Sequence, residues 1–121
     1  MKDKKILIID SDNTDRRIMA TFLRKEKFRV DTGKGLSDAV KMIIKKSYDC
    51  LVMDVDLPEI KGYESVSVIQ RIDPDLRVII TAKKNTKRLE ANIRKQNIFY
   101  YFIKSFDKEE LKQAILNAFN D

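Results

Sequence analysis

Four apolar stretches of the chain each end in a polar side chain, and the side chains differ in chemical type. Two are acids, one is a hydroxyl and one is an ammonium: Asp10, Asp54, Thr81 and Lys104. An acid that ends an apolar stretch has no reason to fill a core, because a buried carboxylate is costly unless it is paired. Such ends therefore indicate parts of one site.

The residue types suit a site that handles phosphoryl groups. Two carboxylates, Asp10 and Asp54, with a nearby backbone carbonyl make an oxygen-only site of the kind that holds Mg²⁺. Lys104 supplies a positive point charge, and Thr81 supplies a hydroxyl that can hydrogen-bond phosphoryl oxygens.

Five stretches of strand length alternate with five segments that have helical spacing or helix-start signals. The predicted strands cover residues 5–9, 28–30, 50–53, 77–80 and 100–103, and the helices cover 37–46, 63–72 and 87–95, with a first helix from about Asn13 or Thr14 and a last one after Asp107. This alternation predicts an α/β fold with a five-stranded parallel sheet and helices on both faces. The carboxyl ends of parallel strands form a crevice, where the four polar side chains would meet.

Helical spacing also predicts which residues are buried. In the second helix the buried face contains Ala39, Val40, Ile43 and Ile44, and in the last helix it contains Leu111, Ala114, Ile115, Ala118 and Phe119.

The composition excludes several kinds of site. Without histidine the chain lacks the usual general base, the commonest zinc ligand and every Ser/His or Cys/His dyad. The single Cys50 lies in an apolar stretch, which favours a buried thiol. No apolar stretch approaches the roughly 18 residues of a membrane helix, and residues 1–9 lack a secretory signal. We expect a cytoplasmic protein without a membrane partner.

The net charge is +6. Because the basic residues are interleaved with acids and form no long run, a solvated basic surface is favoured over a dedicated nucleic-acid face. We do not expect direct nucleic-acid binding.

At these residues the chain resembles the receiver domain of two-component response regulators, over essentially all of residues 1–121, which we expect to be a single domain. The resemblance implies a doubly wound, flavodoxin-like sheet with strand order 2-1-3-4-5. It implies that Asp54 accepts phosphate from a sensor histidine kinase or a phosphotransfer protein. It also implies that Asp10, Asp54 and the backbone carbonyl of Asp56 hold Mg²⁺.

The same resemblance assigns the remaining roles. Thr81 would turn toward the phosphoryl group, Lys104 would pair with it, and Tyr101 would be an aromatic switch, while Pro58 and Gly62 match the loop after the phosphoacceptor. A downstream protein would bind the face of helix 4, strand 5 and helix 5. The chain would then be no enzyme beyond self-phosphorylation and autodephosphorylation.

Three positions depart from the pattern of receivers. Ser11 stands where a second metal-binding acid is usual, which predicts weaker binding of Mg²⁺. Ser105 replaces a proline, which argues against the usual cis peptide after Lys104, because a non-proline cis bond costs about 3 kcal/mol. Asn97 replaces a glycine and retains the capacity for a left-handed helix cap.

Other readings of the same residues stay open. One is a degenerate receiver that binds proteins constitutively without phosphorylation, with Ser11 as its main support. A more distant one is a haloacid-dehalogenase-type phosphatase with Asp10 as its nucleophile. Asp10 and Asp12 would also serve as caps of the first helix, and Lys83 would reach Asp56.

Overall fold

A computed structural model describes residues 4–60, 62–104 and 107–119, and for residues 62 and 63 it describes the backbone alone. Strands and helices alternate along the chain, as the sequence predicts. Their bounds are β1 Lys5–Ile9, α1 Asn13–Lys25, β2 Arg29–Gly33, α2 Leu36–Lys45, β3 Cys50–Asp54, α3 Gly62–Ile72, β4 Arg77–Ala82, α4 Lys87–Arg94, β5 Tyr100–Ile103 and α5 Lys108–Phe119.

The strands form one parallel sheet in the order β2-β1-β3-β4-β5, which confirms the predicted order. The chain leaves β1 toward β2 at one edge and later returns to β3 on the other side of β1. This reversal of direction opens a crevice at the carboxyl ends of β1 and β3. The pairing of Asp54 with Thr81 places the ends of β3 and β4 side by side at the same edge.

Two apolar clusters hold the helices to the sheet. Alternate residues of β1 enter opposite clusters, because successive side chains of a strand point to opposite faces. Leu7 and Ile9 pack on the side of α2 and α3, while Ile6 and Ile8 pack on the side of α1 and α5. Each is fully buried, and a side chain of this size stabilises the fold by about 1.5–3 kcal/mol.

Cys50 lies in the second cluster and is fully buried, which confirms the prediction of a buried free thiol. Burial raises the pKa of Cys50 to about 12, so this thiol stays protonated and unreactive. In the part of the chain that the structure describes, no helix has the length and apolar character to cross a membrane.

The second strand and the second helix differ in detail from the predictions. β2 begins at Arg29, not Phe28, and it continues to Gly33 because it pairs with β1 along its whole length. The expected burial of Ile44 is wrong: its side chain is 69% exposed, whereas Ile43 is 8% exposed. Adjacent residues of a helix point about 100° apart, and the short α2 presents only one of these two isoleucines to the sheet.

Two predictions concern the ends of helices. Asp12 caps α1, since its side chain accepts from the amides of Thr14 at 2.9 Å and Asp15 at 3.0 Å. Asn97 does not adopt a left-handed conformation; among the described residues other than glycine, only Lys27 has a positive φ, of 75°. After α4 the chain stays right-handed and is held by a bond from the Gln96 amide to a helix carbonyl. The predicted conformation at Ser105 lies outside the described residues.

Candidate functional site

Asp54 ends β3 at the carboxyl edge of the sheet and is 6% exposed. Its Oδ1 atom has no hydrogen-bond partner among the described residues. Burial raises the pKa of Asp54 to about 6, the charge of Lys104 opposes this rise, and the charge of Asp10 adds to it. At neutral pH the carboxylate is therefore ionised but poorly solvated, which is the condition of an activated nucleophile.

Lys104 follows β5 and connects three carboxylates of the crevice. Its Nζ atom lies 2.7 Å from Asp10 Oδ2, 3.1 Å from Asp15 Oδ2 and 3.3 Å from Asp54 Oδ1. Burial opposes the charge of Lys104, but the hydrogen bond to Asp10 and the charges of Asp54 and Asp10 raise its pKa above the ordinary lysine value. A fixed cation thus stands beside Asp54.

Thr81 lies next to Asp54 in the sheet and is fully buried. Its Oγ1 atom also lacks a hydrogen-bond partner among the described residues. Side chains that are directly paired across two strands point to the same face. The Thr81 hydroxyl and the Asp54 carboxylate oxygen, neither of which makes a hydrogen bond among the described residues, therefore meet at the crevice beside Lys104.

Asp10 ends the apolar part of β1 and is fully buried. Its Oδ1 accepts from the Asp12 amide at 2.9 Å, and its Oδ2 accepts from Lys104 Nζ at 2.7 Å. The predicted meeting of Asp10, Asp54, Thr81 and Lys104 at one edge is thus what the structure contains. Asp12 stands beyond them as the cap of α1.

Ser11 is exposed, and its hydroxyl donates to the backbone carbonyl of Asp56 at 3.3 Å. This contact brings the β3–α3 loop to the β1–α1 loop. No three side chains of His, Cys, Asp or Glu converge to hold a metal ion within residues 4–60, 62–104 and 107–119. An oxygen-only cation site here would therefore consist of the carboxylates of Asp10 and Asp54 with the Asp56 carbonyl.

The predicted pair of Lys83 with Asp56 is wrong. Lys83 Nζ instead donates to Asp12 Oδ2 at 2.8 Å and lies 3.9 Å from Asp15. The hydrogen bond from Lys83 lowers the pKa of Asp12 to about 2. Asp12 precedes α1 as its cap, and its carboxylate faces Lys83, the residue that follows β4.

Sequence reasoning missed Asp15, which contacts Lys104 at 3.1 Å. The available signal was its position in the first turn of α1, directly after the residues of the crevice. An acid at that position also favours the helix, because it lies near the positive end of the helix dipole. The sequence gives no means to separate these two roles.

Tyr101 lies on β5, half-buried against the cluster on the α2 and α3 side. Its hydroxyl donates to Asn85 Oδ1 at 3.1 Å, and Asn85 Nδ2 donates to Glu90 Oε2 at 3.0 Å. Burial raises the pKa of the Tyr101 hydroxyl. This chain of hydrogen bonds ties the ring to the first turns of α4.

Comparison with known proteins places this geometry in a family. Residues 6–116 match the family described as the response regulator receiver domain. The chain is 28% identical over 115 residues to the DNA-binding transcriptional regulator NtrC of Azospirillum brasilense, a match that covers 95% of this chain and 24% of that protein. It is 25% identical to the transcriptional regulatory protein SrrA of Staphylococcus aureus over 88% of this chain and 44% of that protein.

Solved structures give the same result. A response regulator receiver domain protein from Clostridium thermocellum has a TM-score of 0.88 and 25% identity, with 97% of this chain and 94% of that chain covered. The response regulator TrrA of Thermotoga maritima, solved in complex with Mg²⁺-BeF, has a TM-score of 0.84 and 25% identity, with 95% of this chain and 98% of that chain covered. The chain spans less than half the length of the curated relatives NtrC and SrrA. The chain belongs to the family of response regulator receiver domains.

Proposed function

We propose that this receiver accepts a phosphoryl group on Asp54 from a sensor histidine kinase or a phosphotransfer protein. The observation that supports this best is the pair of buried oxygens Asp54 Oδ1 and Thr81 Oγ1, which make no hydrogen bond among the described residues, although the ammonium of Lys104 lies 3.3 Å from the carboxylate oxygen. Such a buried polar atom costs about 1–3 kcal/mol. Two of them beside the Lys104 ammonium fit a site that is kept ready for a charged group.

The chemistry follows from the positions of these three residues. A carboxylate oxygen of Asp54 attacks the phosphorus atom, and the bond from phosphorus to the donor imidazole breaks, returning its electron pair to the ring nitrogen. Lys104, 3.3 Å from Asp54, offsets negative charge on the transferring group. The Thr81 hydroxyl donates to a phosphoryl oxygen. We propose no other enzymatic activity than self-phosphorylation and autodephosphorylation.

The oxygen atoms of the crevice fit Mg²⁺. Asp54 Oδ1 accepts no hydrogen bond among the described residues and lies 3.3 Å from Lys104 Nζ, and the Asp56 carbonyl accepts a long bond of 3.3 Å from Ser11. Asp10 supplies the second carboxylate, and TrrA, a receiver of similar structure, was solved with Mg²⁺-BeF. Mg²⁺ held by these atoms would neutralise charge on the phosphoryl oxygens. Because Ser11 brings no carboxylate, we expect the affinity of this site for Mg²⁺ to be low.

The output of this receiver would be a change at the face formed by α4, β5 and α5. An inward movement of Thr81 toward the phosphoryl group would free space beside Tyr101. The Tyr101 ring would then leave its bond with Asn85 and shift α4 between two arrangements. The exposed charges Lys87, Arg88, Arg94 and Lys95 make α4 basic, which suits an acidic surface on a downstream protein.

The test is phosphorylation by acetyl phosphate with Mg²⁺, followed by intact mass spectrometry and peptide mapping. Wild type and the control Asp56→Asn, which keeps its backbone carbonyl, should each gain one phosphoryl group on Asp54. Asp54→Asn should gain none. A phosphoryl group mapped to Asp10 would refute this function and support the phosphatase alternative.

One observation favours a degenerate receiver as the second candidate. Ser11 donates to the Asp56 carbonyl, while Lys104 donates to Asp10 Oδ2 and lies 3.3 Å from Asp54 Oδ1, so each of the three expected metal ligands already has a partner. The variant Ser11→Asp separates the candidates. A wild-type protein that gains no phosphoryl group, with phosphorylation restored in Ser11→Asp, would establish the degenerate receiver.

A further inference from the structure

A polar groove of about 390 Å³ lies between α1 and the end of β2. Four cations and two hydroxyls dominate its lining: Arg16, Arg17, Arg24, Lys34, Thr21 and Thr32. No acidic side chain is among the described residues that line it. The proposed phosphoryl transfer at Asp54 makes no use of this groove.

Two of the arginines are held in place by neutral acceptors. Arg16 Nη1 donates to the backbone carbonyl of Asp10 at 2.7 Å, and Arg24 Nη2 donates to the carbonyl of Val30 at 2.9 Å. A guanidinium has five N–H donors, so each arginine keeps donors for a further ligand. Because a carbonyl does not cancel the charge, these bonds fix the position of the cation and leave its full charge available.

The nearby acids on β2 and α2 do not line the groove and have hydrogen-bond partners of their own, although the charge of Arg24 acts on Asp31. Asp31 precedes Thr32 on β2 and therefore points to the opposite face of the sheet, where it accepts from the Tyr48 hydroxyl at 2.7 Å. Asp38 on α2 accepts from the Lys34 amide at 2.9 Å.

The acids of α1 and its cap are engaged at the crevice. Asp12 is bound by Lys83 at 2.8 Å, and Asp15 is bound by Lys104 at 3.1 Å. With four cations and no acid in its described lining, the groove thus keeps a net positive potential, which Asp31 near Arg24 offsets only in part.

We propose that this groove binds an acidic peptide segment of a partner protein in an extended conformation. Arg17 and Arg24 lie two turns apart on α1, a separation of about 10 Å along the helix. An extended chain rises about 3.3 Å per residue and its side chains alternate in direction, so carboxylates two or four residues apart face the same side and span about 7 to 13 Å, which brackets the separation of the two arginines. The planar guanidinium suits bidentate contact with carboxylates.

The lining favours a peptide over a nucleic acid. No aromatic ring is among the described residues of the groove, and single-stranded nucleic acids are held largely by stacking of bases on such rings. The groove is open along its length, which suits a segment laid across the surface, while the Thr21 and Thr32 hydroxyls can donate to peptide carbonyls or carboxylates. The occupant is therefore assigned as a peptide that carries several Asp or Glu residues.

The test is fluorescence anisotropy with a short labelled peptide of alternating Asp and Glu. The double variant Arg17→Gln/Arg24→Gln should bind this peptide at least about 10-fold more weakly, because it loses two charge-assisted contacts. Arg16 is left unchanged because it holds the carbonyl of Asp10, a residue of the crevice, whereas Arg24 holds the carbonyl of Val30 on β2. The control Lys41→Gln/Lys45→Gln removes the same charge from the exposed side of α2 and should change the affinity by less than about 2-fold.

Other results would overturn the proposal. An equal loss of affinity in both double variants would mean that the peptide responds to net charge and not to the groove. Tighter binding of a single-stranded oligonucleotide than of the peptide, with the same dependence on Arg17 and Arg24, would assign the groove to nucleic acid. Circular dichroism and urea unfolding of both variants confirm that the comparison concerns folded protein.

Discussion

Replacing Asp54 by asparagine should stabilise the fold at and above neutral pH. The pKa of Asp54 is raised from its ordinary value of 3.8 to about 6, chiefly by burial. Because the folded protein then holds this proton more tightly than the unfolded chain, protonated Asp54 carries no penalty below about pH 4. Stability is lost as the pH rises through about 6, where the buried carboxyl ionises. Asparagine keeps the shape without the charge, and so avoids this loss.

The size of the effect follows from the shift in pKa. About two pKa units, at 1.36 kcal/mol for each unit, give a ceiling of about 3 kcal/mol. Water at the mouth of the crevice screens part of this penalty. This net shift already includes the attraction of Lys104, whose ammonium lies 3.3 Å from Asp54. We therefore expect Asp54→Asn to be more stable than wild type by about 2 kcal/mol near pH 8 and by almost nothing near pH 4.

The measurement is urea unfolding between about pH 4 and pH 8 in EDTA, so that no divalent cation binds the crevice. Asp75→Asn, in an exposed loop, is the matched control and should show no such dependence. Comparing each variant with wild type at the same pH removes the titration of the other acids. If the gain in stability of Asp54→Asn is the same at both ends of the pH range, or is largest in acid, Asp54 is not a buried carboxyl with a raised pKa.

Gly35→Ala would place a Cβ atom 2.5 Å from Glu59 Oε1 and expel the carboxylate that caps α2. We expect this substitution to lower the free energy of unfolding in urea by about 1 kcal/mol, and to have no such effect in a Glu59→Ala background. Ile43→Ala should cost about 2–4 kcal/mol and Ile44→Ala less than about 0.5 kcal/mol in the same assay, and equal costs would contradict the exposure of Ile44. Tyr101→Phe should speed amide hydrogen exchange in α4 at nearly constant global stability; unchanged exchange would show that its hydroxyl does not hold the helix.

The sequence predicts the sheet well because its central strands are buried on both faces. Residues 6–9 and 51–53 are fully buried, and a continuous apolar stretch carries that information directly. The edge strand β2 is different, since Arg29, Asp31 and Thr32 are polar and their strand conformation comes from pairing with β1. Ile44 shows a similar limit for helices. Periodicity identifies the apolar face of α2, but packing against the sheet decides which residue at the edge of that face is buried.

The predicted site residues meet because each ends or follows a parallel strand, and topology brings those ends to one edge. The positions of the strand ends are therefore enough to predict that four side chains meet there: Asp10, Asp54, Thr81 and Lys104. The sequence does not predict the contacts of Lys83 and Asp15, because the direction in which each side chain points decides its partner. These directions depend on how the start of α1 is placed relative to the end of β4, and the spacing of residues in the sequence carries no information on that placement.

Ser11 influences the crevice in two opposite ways. An acid at this position would add a cation ligand, and its absence lowers the negative charge that attracts Mg²⁺. The same added charge would also repel the carboxylate of Asp54, whose pKa is already raised by burial and by Asp10. In EDTA, Ser11→Asp should therefore raise the pKa of Asp54 above about 6 and leave less of the nucleophile ionised at neutral pH. We therefore expect serine to lower the affinity of the proposed cation site and, in the absence of the cation, to favour the ionised form of Asp54, with Lys104 as the fixed positive charge beside it.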